Sequence, residues 1–265
     1  MKILYNYILL AIEKSQGLQG RLVICAIGVL SLCFVGCAPK GTPIFTLSTP
    51  HFVPQSQPRD SIETGIGQDP NTGDIFIQWF AASGAAGYKV YRTDTTDANG
   101  IPAGFELVVD LKSTPAVKDT SYVDVNSVRT NVRYFYFVKA YASDGSMSNP
   151  SDTAHITLLD RPTLNYPGRN ATVSANNLSF VWKDNTNGGS TVIRLKDISV
   201  IPSVYVWISR DTLIYGGSTI SAQFNFDSTA FRPLKSGDSY QWRVDRIDLN
   251  TDGQAKSIWQ TFTAN

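Results

Sequence analysis

Between about residues 61 and 159, apolar and polar side chains alternate in short runs separated by clusters of Asp, Asn, Gly, Ser and Pro. The runs fall at 61–66, 74–80, 87–92, 105–111, 120–126, 132–142 and 153–159. Successive strand residues point to opposite faces, so each run predicts a strand with one side buried, and the clusters between them predict tight antiparallel turns. Residues 160–265 repeat the pattern with a spacing of about 104 residues, as Trp79 and Tyr134 return at Trp182 and Tyr240. Two tandem antiparallel sandwiches are expected, at 61–159 and 160–265, meeting near Asp160-Arg161-Pro162. So short a proline-bearing connection predicts a restricted hinge.

Seven short strands in about 100 residues suit an immunoglobulin-like sandwich. In the first half the telling residues are Trp79 in IFIQWF, Tyr88 and Val90 in GYKVYR, the run Tyr134-Phe135-Tyr136-Phe137-Val138-Lys139-Ala140, and SDGSMSNPSD. In these the first half resembles a fibronectin type III domain, matching in turn its second-strand tryptophan, its third strand, its sixth strand and the turn that follows it. In the second half, Asn177–Trp182, Tyr205–Asp211, Tyr240–Val244 and Ile258–Phe262 answer the second, third, sixth and last strands. The resemblance implies an all-β fold of two fibronectin type III-like β-sandwiches, with Tyr134 as a corner tyrosine bonded to nearby backbone. It is weaker in the second half, where Arg246 takes the place of Ala140, with its charge expected to snorkel to the rim.

Composition points the same way. Three glutamates (Glu13, Glu63, Glu106) stand beside nineteen aspartates, so turn formers are plentiful and helix formers few.

The N-terminal region has a different pattern. An apolar run from Leu22 to Gly36 follows Lys14 and Arg21 and ends at Cys37. Fifteen helical residues span roughly 22 Å, short of a hydrocarbon core of about 30 Å, as expected of an export signal rather than a membrane span. Phe34-Val35-Gly36-Cys37 resembles the lipobox of bacterial lipoprotein signal peptides, although Phe34 stands where Leu is usual. The resemblance implies a signal peptide at 1–36, cleavage before Cys37, and a membrane partner held through a lipid on Cys37. The location it implies is the bacterial cell envelope, at the outer membrane or cell surface. Cys25, Cys33 and Cys37 are the only cysteines, so cleavage would leave no disulfide pair. Residues 37–60 carry Pro39, Pro43, Pro50, Pro54 and Pro58 and read as a semi-rigid tether.

Candidate chemistry is sparse. Beyond Cys37 the charge is balanced, with 20 basic and 21 acidic residues, and nothing points to nucleic acid. Trp79 and Tyr88 are nine positions apart, whereas Trp182 and Tyr205 are twenty-three apart. The fourteen extra residues lie in a loop at about 184–203, where Thr191, Ile193, Arg194 and Lys196 are candidate partner-binding residues; an added edge strand is the plainer reading. Asp248, Asn250 and Asp252 match the first half of a calcium loop, but its twelfth position is Trp259, so a hairpin turn is expected rather than a metal site. Asp69–Asp74 reads as a turn as well. His51 and His155 have no nucleophile motif around them, no phosphate-cradling loop is present, and neither a catalytic set nor a cofactor is expected. The five tryptophans all fall in predicted strands, with Trp259 the one to test for exposure.

The sequence therefore predicts a lipid-anchored envelope module that binds a protein partner. Carbohydrate binding is the alternative and a polysaccharide-acting hydrolase the remote one. Exposed aromatics aligned on one face would favour a glycan, and an apolar patch at the 184–203 loop would favour a protein.

Overall fold

The computed structural model describes residues 46–112, 120–184, 189–210, 212–213, 219–248 and 251–265. The proposed signal peptide and Cys37 lie outside the described residues. Phe45–Asn265 form one compact unit that holds two hydrophobic cores.

The first core is enclosed by β1 (Gly67–Gln68), β2 (Ile75–Gln78), β3 (Gly87–Thr93), β4 (Glu106–Lys112), β5 (Ser121–Asp124), β6 (Val132–Tyr141) and β7 (Ala154–Leu158). Strands β1-β2-β5 make one sheet, and β7-β6-β3-β4 lie side by side opposite it. Burial along β6 alternates residue by residue, with Tyr134, Tyr136, Val138 and Ala140 inward, as the period of two requires. Trp79 is buried and packs edge-on against Tyr88. The backbone N–H of Arg129 donates to the Tyr134 hydroxyl at 2.8 Å, closing a tyrosine corner.

The second core follows with β8 (Thr163–Tyr166), β9 (Ala171–Val173), β10 (Ser179–Lys183), β11 (Ser190–Asp197), β12 (Val204–Ile208), β13 (Thr212–Leu213), β14 (Thr219–Gln223), β15 (Ser239–Ile247), β16 (Gly253–Lys256) and β17 (Gln260–Ala264). Strands β14-β10-β8 form the small sheet and β12-β11-β15-β17 the facing one. The Lys235 N–H donates to the Tyr240 hydroxyl at 2.9 Å, a second corner. The plan recurs in a further detail: Val138 and Ser151 exchange N–H donors with carbonyl and hydroxyl acceptors, and Val244 and Ser257 do the same. The strand order in each half is that of an all-β, fibronectin type III-like sandwich.

The two large sheets are one. Strands β7 and β16 pair in parallel, Gly253 with Thr157 and Gln254 with Leu158, giving a continuous order β12-β11-β15-β16-β7-β6-β3-β4. Register then decides which face each core occupies. Leu158 points into the first core, and its partner Gln254 stands on the same face with Lys256, whereas Ala255 and its partner Arg246 turn toward the second sandwich. The small sheet β1-β2-β5 accordingly covers one face of the shared sheet and β14-β10-β8 the other.

Several expectations need correction. The proposed tether does not hang free over residues 46–60. Leu47 and Phe52 pack on the first core, Val53 N donates to Gln78 O at 2.9 Å, Phe80 N donates to His51 O at 2.8 Å, and Phe52 bridges to Trp79. Proline removes donors but leaves carbonyls and extended φ, so this segment serves as an edge. Residues 61–66 form no strand. The third strand of the second sandwich is β11, not the Tyr205 run: β11 pairs along eight residues with β15, and β12 lies outside it. The inserted stretch therefore supplied an interior strand rather than a projecting loop.

A charged junction and an apolar hairpin tip

Strand β11 is buried on both sides. Ile193 and Leu195 belong to the second core, and Thr191 is fully buried, so none of these can meet a partner as a loop would. Arg194 faces the opposite side beside Arg243, its cross-strand partner on β15. Residues 55–58 and 63–67, arriving from the first sandwich, line with Arg194 and Asp245 a cleft of about 340 Å³.

The cleft floor is an ion network. Arg194 donates from Nε to Asp245 at 2.5 Å and from its two terminal nitrogens to Asp60 O and Pro58 O at 2.7 and 2.6 Å. Arg243 donates to Asp245 at 2.7 Å and to Glu63 at 2.5 Å, and Lys256 holds the other Glu63 oxygen at 2.6 Å. Burial opposes ionisation of Glu63, but Arg243 and Lys256 outweigh it and bring its pKa down to about 2. Burial likewise works against the Arg243 cation, and Asp245 and Glu63 overcome it, so its pKa lies above the usual guanidinium value. The network is extended by Arg59 Nε on Ser209 O at 3.1 Å, by Arg161 Nε on Lys256 O at 2.7 Å, and by Arg161 on Pro70 O. Lys256 N also donates to Gln68 at 2.5 Å. The guanidinium of Arg194 and the carboxylate of Glu63 are thus engaged within the chain, and this arrangement joins the two sandwiches. Sequence reading missed it because its members are scattered from Pro58 to Lys256 and carry no motif.

Arg246, expected at the rim, is buried and pairs with buried Asp184 at 3.1 Å. Asp184 lies at the exit of β10, so the long stem stays inside and its charge is met there.

Trp259 is half-buried and sits before β17 rather than in it, because the last strand is interrupted at Ser257. The Arg243 guanidinium lies 4.6 Å from its ring centre and the Lys196 ammonium 5.0 Å. Lys196 also lies 4.5 Å from the Tyr205 ring. Burial, then Arg243, lowers the Lys196 pKa, and burial raises that of Tyr205.

Of the weak calcium positions, Asn250 lies outside the described residues. Asp248 N donates to Gly253 O at 2.8 Å, closing the hairpin between β15 and β16, and Asp252 lies 3.6 Å from both Arg133 and His155. Asp69 caps its own turn, accepting from Asn71 N and Thr72 N.

What does project from the inserted stretch is the connection between β11 and β12. Ile201 at its tip is 99% exposed, with Val200 and Val204 also exposed beside it. Phe231, 65% exposed, belongs to a segment tied to the same hairpin: its N–H donates to Val206 O at 2.8 Å, and Arg232 pairs at 3.0 Å with Asp197 at the hairpin base.

No protein-family model matches the chain, and no curated protein matches it. Among solved structures, the chain is similar to a Fn3-like protein from Clostridium thermocellum at 20% identity, over 46% of this chain and 98% of that one, with a TM-score of 0.30. It is also similar to the FN1–FN3 domains of chicken CNTN1 at 11% identity, over 82% of this chain and 67% of that one, with a TM-score of 0.28.

Proposed function

We propose that this protein is a lipid-anchored binding module of the cell envelope, attached through Cys37 and presenting its second sandwich to a protein partner. The observation that carries the reading is the apolar tip of Val200, Ile201 and Val204, with Phe231 beside it. An isoleucine with nearly all its surface in water contributes nothing to folding, and a cluster of such residues on a hairpin suits a complementary apolar pocket. The β11–β12 pairing and the Arg232–Asp197 ion pair hold the base of that hairpin, which limits the ordering entropy lost on docking. The carbohydrate alternative is the weaker reading at the second sandwich, where Trp259 and Tyr205 carry cations over their rings. Binding rather than catalysis is the role assigned.

The test places a photo-crosslinking residue at Ile201 in whole cells, with a second at exposed Ala98 of the first sandwich as control. A discrete protein adduct at 201, absent at 98 and abolished by Val204→Asp, is expected. Recovery of glycan alone, or identical adducts at both positions, would sink the reading. Membrane attachment is tested separately by Cys37→Ser, which should move the protein from the membrane pellet to the soluble fraction.

A further inference from the structure

The two sandwiches carry equivalent outer sheet faces, and only one of them is covered by described residues. On the second sandwich the outer side of β11 and β15 holds Arg194, Arg243 and Asp245. The extended segment 58–63 lies across it, setting the Glu63 carboxylate between Arg243 and Lys256 and the Pro58 and Asp60 carbonyls on Arg194. On the first sandwich the corresponding side of β3 and β6 holds Tyr91 and Phe137, paired cross-strand like Arg194 and Arg243, and Lys89 opposite Lys139.

This first face is built of rings and cations. Tyr91 and Phe137 stack with centroids 4.7 Å apart, Phe105 leans on Phe137 at 4.7 Å, and Leu107 beside them is 48% exposed. Lys89, Lys112, Arg133 and Lys139 surround this patch. Asp110 engages Lys89 at 2.5 Å, and Asp252 lies 3.6 Å from Arg133. Neither Lys112 nor Lys139 forms an ion pair among the described residues, although Lys112 lies near enough to Asp110 to help lower its pKa. The face is therefore apolar at its centre and positive at its margin.

We infer that the outer face of β3, β4 and β6 is a second docking surface, and that it takes an extended acidic segment of a protein partner carrying apolar residues between its carboxylates. The ring cluster and Leu107 receive the apolar side chains, and Lys139 and Lys112 receive the carboxylates. The charge of the face selects acidic over basic sequences. The molecule's own second sandwich supplies the precedent for an extended, carboxylate-bearing chain lying across such a face. This deepens the protein-binding reading at a site remote in sequence from Ile201, so the two can fail separately.

The test uses the full chain and a fluorescent synthetic peptide alternating aspartate with leucine, read by polarisation. Its controls are the same peptide with lysine for aspartate, and anionic phosphatidylglycerol vesicles. Saturable binding of the acidic peptide is expected, weakened about tenfold by Lys139→Glu and comparably by Phe137→Ala, and unchanged by Ile201→Asp. Thermal melts of each variant separate lost binding from lost folding, and Lys139→Glu, on the solvent side of the sheet, should melt as the parent does. Equal binding of the basic peptide, no effect of Lys139→Glu, or vesicle binding that competes away the peptide with equal strength would overturn the inference.

Discussion

Replacing Glu63 by glutamine tests the charged junction most directly. The carboxylate sits 2.5 Å from Arg243 and 2.6 Å from Lys256 with its side chain 27% exposed, and its pKa falls from 4.5 to about 2. That fall, at about 1.36 kcal/mol for each tenfold change in proton affinity, corresponds to about 3 kcal/mol of stability linked to ionisation. Because the folded pKa is the lower one, this contribution is fully present above pH 4.5 and is lost as pH falls toward about 2. Glu63→Gln should therefore cost about 2–3 kcal/mol at neutral pH, since glutamine retains a hydrogen bond but not the charge. It should also flatten the decline of stability between pH 4.5 and 2. Urea unfolding of parent and variant at pH 7 and pH 3 measures both effects. If the two proteins lose stability in parallel across that window, or differ by less than about 0.5 kcal/mol at pH 7, Glu63 does not hold the junction as argued.

Three further substitutions probe other parts of the structure. Arg194→Ala strands Asp245 beside one cation fewer and frees the Pro58 and Asp60 carbonyls; it should cost about 3–5 kcal/mol and open residues 55–63 to limited proteolysis before the cores unfold. Gly87→Ala drives a methyl into the Leu111 carbonyl oxygen and the Tyr141 hydroxyl, and should cost about 3 kcal/mol or more, read as a lowered Tm. Tyr240→Phe removes the acceptor for Lys235 N and should cost about 1 kcal/mol in denaturant titration, with little change in the circular dichroism of the folded state.

The all-β fold and the burial pattern of β6 follow from periods and residue types local in the chain, while the core positions of Trp79 and Trp182 and the corner at Tyr134 are what the fibronectin type III resemblance implies. A strand's alternation is visible in the strand itself, and Tyr134 lies five residues from its donor. Expecting the inserted stretch to be an edge strand or a partner-binding loop, rather than the interior strand β11, failed for a physical reason. STVIRLKD places Arg and Lys on a strand whose second face is also covered, and the covering segment, 58–63, lies more than 130 residues earlier. Alternation with charged residues ordinarily signals a solvent face, so a charged face buried by a distant segment cannot be told from an exposed one. Arg246 misled in the same way, because its partner Asp184 lies 62 residues away.

By itself, then, the sequence determined most of the strands, the Tyr134 corner and the turn chemistry, since these depend on neighbours within a few residues. Only the tertiary structure decided that the two sandwiches share a single sheet through the parallel contact of β7 with β16, that the proline-rich stretch after residue 46 packs as an edge, and that Glu63, Arg194, Arg243, Asp245 and Lys256 converge. Each of those depends on pairing distant strands in one register, and register is a property of the assembled cores, which no local run of residues encodes.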